Sequence, residues 1–238
     1  MTIKNLTLLS AFALGAPLFA AAQAEPTTPA PMPATSALTP APDPGSVDPG
    51  PGLIGTNYAE LSYGYQHYHD SPTSLHDYEF FSNTAAYRTG IVGFDGDFLY
   101  EHTNADDDGF SDRRDQLEMG GTGFLTEIWG KPFLSADAGM AWEHVGGFSR
   151  KGFVYDLQSG VEFEVLGSLA ITPFIGYEAL PKLYNHVPTV ADFPDHAFEY
   201  GVKETYRLTR NWKASLTETL DQYSSRDWGL RGGVSYRF

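Results

Sequence analysis

The last stretch of the chain, Trp228 to Phe238, reads Trp-Gly-Leu-Arg-Gly-Gly-Val-Ser-Tyr-Arg-Phe. Trp228, Leu230, Gly232, Val234, Tyr236 and Phe238 share one parity; Gly229, Arg231, Gly233, Ser235 and Arg237 share the other. A period of two puts the two sets on opposite faces of a strand. Most chains fray at the end, so alternation that runs to the last residue implies a strand closing a sheet.

Similar runs recur from Asn57 onward. Leu61, Tyr63 and Tyr65 alternate with Glu60, Ser62 and Gly64; Phe94, Phe98 and Tyr100 with Asp95, Asp97 and Glu101. Phe153, Tyr155, Leu157, Val161, Phe163 and Val165 give the cleanest pattern, against Asp156, Gln158, Glu162 and Glu164. Asp77–Tyr87 is the least clearly patterned run. The expectation is ten strands, with eight as the alternative count, joined by four tight turns and five longer links. The longer links include an acidic loop, 104–109, and a loop at 146–151. Runs of about 10–13 residues exceed the ~5–6 usual in soluble sheets. Eleven residues rising about 3.3 Å each, tilted near 40°, cross roughly 27 Å, the height of a membrane barrel's apolar band. An even strand number puts both termini, and all the short turns, on one side.

The start of the chain belongs to a different regime. Lys4, the apolar and small run Leu6 to Ala22, and Ala22-Gln23-Ala24 have the layout of a cleaved secretory leader over 1–24. Nine of the chain's 16 prolines follow within 25–52, in runs such as Pro29-Ala30-Pro31-Met32-Pro33. Such a tract cannot form a core and reads as an extended spacer, leaving 53–238 as the folded domain. With no cysteine, disulfides and thiolate metal sites are excluded. The 15 basic residues against 30 acidic ones, a net charge of −15, argue against nucleic-acid binding.

With its terminal Val234-Ser235-Tyr236-Arg237-Phe238 and its alternating runs, the sequence from Asn57 to Phe238 resembles the bacterial outer-membrane β-barrel proteins, the class with the small OmpA-like and opacity-protein-like barrels. The resemblance implies an all-β, antiparallel up-and-down transmembrane barrel. It also implies that Val234, Tyr236 and Phe238 form the signal read by the outer-membrane assembly machinery. Lipid would surround such a barrel, and peptidoglycan is the contact its periplasmic spacer would offer.

The opposite parity then gives the lumen. It places inside Glu60, Asp95, Asp97, Glu118, Asp137, Glu143, Asp156, Glu162, Glu164, Glu178 and Glu199, with Lys203, Arg207, Lys213, Arg231 and Arg237 as countercharges. A small barrel is filled by its own side chains, so a charge-paired structural interior is the first expectation. A narrow, cation-preferring passive pore is the second. Two further alternatives stand. One is an outer-rim hydrolase using His67, His69, Asp70 and Ser71; the other is a soluble, lipocalin-like binding barrel, which alternation alone does not exclude. No catalytic residue, cofactor or metal is assigned: His67 and His69 could share an ion, and Asp106-Asp107-Asp108 lacks the spacing of a calcium loop. Glu204 and Glu218 fall among the lipid-facing residues, so either a bulge shifts the register or those strands meet a partner.

Overall fold

The computed structural model describes residues 50–67, 74–107, 110–126, 130–145, 148–179, 196–221 and 228–238. The leader 1–24, the tract up to 49, and His69, Asp70 and Ser71 lie outside them. Ten strands follow one another: β1 (Tyr58–His67), β2 (Ser74–Arg88), β3 (Val92–Asp107), β4 (Phe110–Leu125), β5 (Lys131–Val145), β6 (Phe148–Leu166), β7 (Leu169–Ala179), β8 (His196–Arg207), β9 (Trp212–Asp221) and β10 (Trp228–Arg237). Each pairs antiparallel with its sequence neighbours, and β10 pairs with β1 from Tyr58↔Arg237 to His67↔Trp228. The sheet closes with no free edge, as crossing lipid on strands requires. The count is ten, not eight.

Every strand contributes large apolar side chains to the outer surface, for example Leu61, Tyr78, Phe94, Leu117, Leu134, Phe153, Ile175, Phe198, Leu216 and Leu230. Glu60, Asp95, Gln116, Glu118, Glu162, Thr205 and Lys213 are buried instead. A soluble barrel hides the apolar parity and shows the polar one. This barrel does the reverse, and its apolar belt goes far beyond the patches a soluble monomer exposes. The lipocalin-like alternative is thereby set aside.

Both ends of the sheet, Tyr58 and Arg237, and the short turns lie at one end, the near end. Gly167-Ser168 is a two-residue turn, and Thr89 N–H donates to Val92 O at 2.7 Å and Leu208 N–H to Trp212 O at 2.9 Å in two others. At the far end the expected loops 104–109 and 146–151 are largely strand. β3 reaches Asp107, β4 starts at Phe110, β5 reaches Val145 and β6 starts at Phe148. Asp, Asn and Gly read as loop formers, but a hairpin arm whose partner already supplies hydrogen bonds continues regardless of propensity. Register shifts occur at Ala85/Tyr87 and Glu164/Leu166. None occurs at Glu204 or Glu218, so of the two accounts of these residues the bulge is absent. Both stay exposed on the outer face, Glu204 paired with Leu216, and Glu218 with Val202 and Leu230.

Candidate functional site: the barrel lumen

The inward parity of the closed sheet brings the sequence-derived charges together along one lumen. Glu60, Asp95, Asp97, Glu118, Glu143, Glu162 and Lys213 are buried there. Asp137, Asp156, Glu178, Glu199, Lys203, Arg207, Arg231 and Arg237 are half-buried, and Glu164 is exposed at the near mouth. Glu60 on β1 accepts from Lys203 Nζ on β8 and from Ser215 Oγ on β9, both at 2.9 Å. Lys131 Nζ lies 3.2 Å from both Glu162 Oε1 and Glu164 Oε1.

Several partners were not legible beforehand. Arg231 holds Asp77 at 2.6 Å, Glu79, and Glu101 at 3.7 Å. Asp77 and Glu79 belong to β2, whose run had no clear period. Arg114 reaches Glu143 at 2.9 Å and Glu178 at 3.4 Å. Neither Arg114 nor Lys131 is among the countercharges that parity assigns.

The least expected feature is a strap. Residues 50–56 lie in the near mouth, with Pro51, Gly52, Leu53 and Thr56 buried. Leu53 and Ile54 N–H donate to Glu162 Oε2 at 2.6 and 3.3 Å, and Gly55 N–H donates to Asp95 Oδ2 at 2.7 Å. Lys213 Nζ donates to Gly52 O, Arg88 to Gly55 O at 3.2 Å, and Asn83 Nδ2 to both Thr56 O and Asp95 Oδ2. A turn from Leu53 to Thr56, closed by Thr56 N–H to Leu53 O at 3.2 Å, needs a left-handed residue at its third position. Gly55 supplies it with φ +78°. Gly50 to Gly52, assigned to the spacer by composition, thus belong to the barrel end. The signal was the apolar pair Leu53-Ile54 between two glycines, out of keeping with an exposed spacer.

Above the strap a cavity of about 360 Å³ extends to Gln66, Thr103 and Thr219 near the far strand ends. Eleven carboxyls line it, and its basic residues are Arg114, Lys203 and Arg231. Across the wall Asp97, Gly120, Asp137, Asp156 and Glu178 are successive register partners on β3 to β7. Gly120 keeps space in that row, since a Cβ there would collide with Ala136 O and the Asp137 carboxyl. No ion pair among the described residues involves Asp97, Glu118, Asp137 or Asp156. Glu118 Oε2, Asp95 Oδ1 and Asp97 Oδ1 are buried without a hydrogen-bond partner. Among the described residues no group of three or more His, Asp or Glu is arranged to hold a metal ion.

The rim histidines whose side chains are described, His67, His76, His102 and His144, lie on the outward parity. His67 packs on Trp228 at 5.9 Å between ring centroids. Tyr63 Oη and His76 Nδ1 are 2.6 Å apart, and His102 Nδ1 and Asp115 Oδ1 are 2.7 Å apart. His144 Nδ1 lies 2.9 Å from Ser149 Oγ, a base and a hydroxyl in reach. Among the described residues no carboxylate bonds the other ring nitrogen, the place of the orienting member in a hydrolytic set. Val234, Tyr236 and Phe238 are exposed on the outer face, with Tyr236 against Trp212 at 4.9 Å.

No protein-family model and no curated protein matches the sequence. Solved structures of similar shape include the translocator domain of the autotransporter NalP from Neisseria meningitidis, 10% identical over 76% of this chain and 87% of that one, TM-score 0.48. The beta domain of the Bordetella autotransporter BrkA is 11% identical over 77% of this chain and 99% of that one, TM-score 0.46. An outer membrane channel from Pseudomonas putida F1 is 10% identical over 82% and 99%, TM-score 0.43. Likeness at this level carries no argument about function, and the barrel stands on its own strand pairing.

Proposed function

We propose that this chain is an outer-membrane barrel whose lumen is closed by its own N-terminal strap, a membrane-anchored scaffold that displays its far-end hairpins at the cell surface. The observation that carries this is the strap itself, seated across the near mouth with its backbone amides donated to Glu162 and Asp95. The apolar belt supports the membrane location. The leader 1–24 would export the chain, the tract up to 49 would stand in the periplasm within reach of peptidoglycan, and Val234, Tyr236 and Phe238 would serve assembly.

A purified barrel in a planar bilayer tests the closed state. Wild-type protein should give no discrete current steps, and regular steps from it would overturn the scaffold reading. A cation-preferring path is the second reading, favoured by the carboxyl excess behind the strap. It expects small, cation-selective steps once the strap is unseated by Gly55→Val. A silent variant would mean that the wall's own side chains close the lumen.

A further inference from the structure

One part of the lumen answers to none of the charge pairing described so far. The arginine and lysine clusters gather at the near mouth, beside β1 and around Arg114. The stretch of wall built by β4, β5 and β6 carries Glu118, Asp137 and Asp156, and no cation is paired with any of them among the described residues. Asp137 and Asp156 sit directly opposite each other in register. Like charges in that relation destabilise a sheet. Glu118 is 1% exposed, lines the cavity, and leaves Oε2 with no partner while Oε1 accepts from Gln116 at 2.6 Å. A buried carboxylate oxygen without a donor is costly. All three line one space of about 360 Å³, within the range of small-molecule sites.

We propose that this space is a binding site for a linear organic polyamine, its ammonium groups held by Glu118, Asp137 and Asp156 across neighbouring strands. Three features select that chemistry. The carboxyls are strung along a wall rather than gathered around a point, and no three acidic or histidine side chains among the described residues are placed to ligate a metal. Adjacent strands are about 4.8 Å apart, a spacing that ammonium groups separated by a few methylenes can follow. The methylenes have apolar surface to meet as well, because Leu99, the register partner of Glu118, and Phe133 line the same space. Each ammonium would donate charge-assisted hydrogen bonds, the strong class; Glu118 Oε2 otherwise lacks a donor, and Asp137 Oδ2 accepts from the neutral Ser135 hydroxyl at 3.1 Å. The site goes beyond the scaffold reading and stands whether or not the lumen conducts.

The full chain, refolded in an uncharged detergent and checked for the folded band on an unboiled gel, is titrated calorimetrically with spermidine at fixed ionic strength. Magnesium chloride is titrated in parallel. Wild-type protein should bind spermidine saturably with a stoichiometry of one. Asp137→Asn and Asp156→Asn, each tested alone so that a folding failure in one leaves the other, should bind roughly tenfold more weakly. The outer-face variant Glu204→Gln/Glu218→Gln should bind like wild type. Three results would overturn the proposal. They are no saturable spermidine binding by wild type, equal binding by both folded lumen variants, or magnesium bound as tightly as spermidine, which would make the site one for an inorganic ion.

Discussion

Gly55 and Arg231 illustrate two ways in which single residues hold the lumen. Gly55 has a left-handed φ of +78° that a β-branched residue adopts only with strain. Its Cβ would also meet the Arg88 guanidinium and the Phe124 ring. Gly55→Val should therefore weaken strap docking by about 1–3 kcal/mol while leaving strand pairing intact. Hydrogen exchange checks this: the Leu53 amide, buried against Glu162, should exchange about five- to 150-fold faster, with the β1–β10 amides unchanged. Arg231 is a different case, because three carboxyls depend on it. Replacing it with Met leaves Asp77, Glu79 and Glu101 facing one another. A loss of about 3 kcal/mol is expected in urea unfolding, the low end for breaking a buried pair, since its side chain keeps 32% exposure. A loss under about 1 kcal/mol would class it with surface ion pairs instead.

For strands, parity carried most of what the sequence could tell. One alternating run fixes which of its residues face lipid and which face the lumen, and the expected charges from Glu60 to Arg237 all fall on the inner parity. What parity does not encode is distance across the barrel. Leu53 meets Glu162 over a separation of 109 residues through a backbone amide, which leaves no side-chain signature in sequence. Asp77 and Glu79 were missed for a related reason, since Phe80 and Phe81 follow one another and blur the period of β2. The outer faces of β8 and β9 carry the converse exception, Glu204 and Glu218 among apolar neighbours. Lipid-facing acids cost less than the ~2–4 kcal/mol of Arg or Lys. Glu218→Leu should accordingly raise stability by about 1–2 kcal/mol in lipid vesicles; no gain would mean that the carboxyl is already met by a partner. At the end of β10, Phe238 N–H bonds Asn57 O at 3.3 Å. Deleting Phe238 should reduce the amount of heat-modifiable protein in the outer-membrane fraction, and an unchanged yield would remove its role in assembly.

The barrel is taller on one side than on the other. β1, β9 and β10 have 10 residues each, enough to cross roughly 25 Å at a tilt near 40°. β2 to β5 have 15 or 16 and β6 has 19. The first seven residues of β6, Phe148–Val154, run past Ala179, the last described partner on β7, a rise of some 18 Å at the far end allowing for tilt. The five extra residues of β2, Thr84–Arg88, lie instead past Tyr58 at the near end. If the near end is periplasmic, the β6 overhang projects from the cell. The chain has no cysteine, so single cysteines report topology without background. Ser149 is exposed at the start of β6, and at Gly167, in a near-end turn, an added Cβ meets nothing within 4 Å. On intact cells a membrane-impermeant maleimide should label Ser149→Cys and spare Gly167→Cys, with both labelled after lysis. Labelling of Gly167→Cys alone would invert the barrel and put the strap at the outer face, where it would close the lumen to the medium rather than to the periplasm.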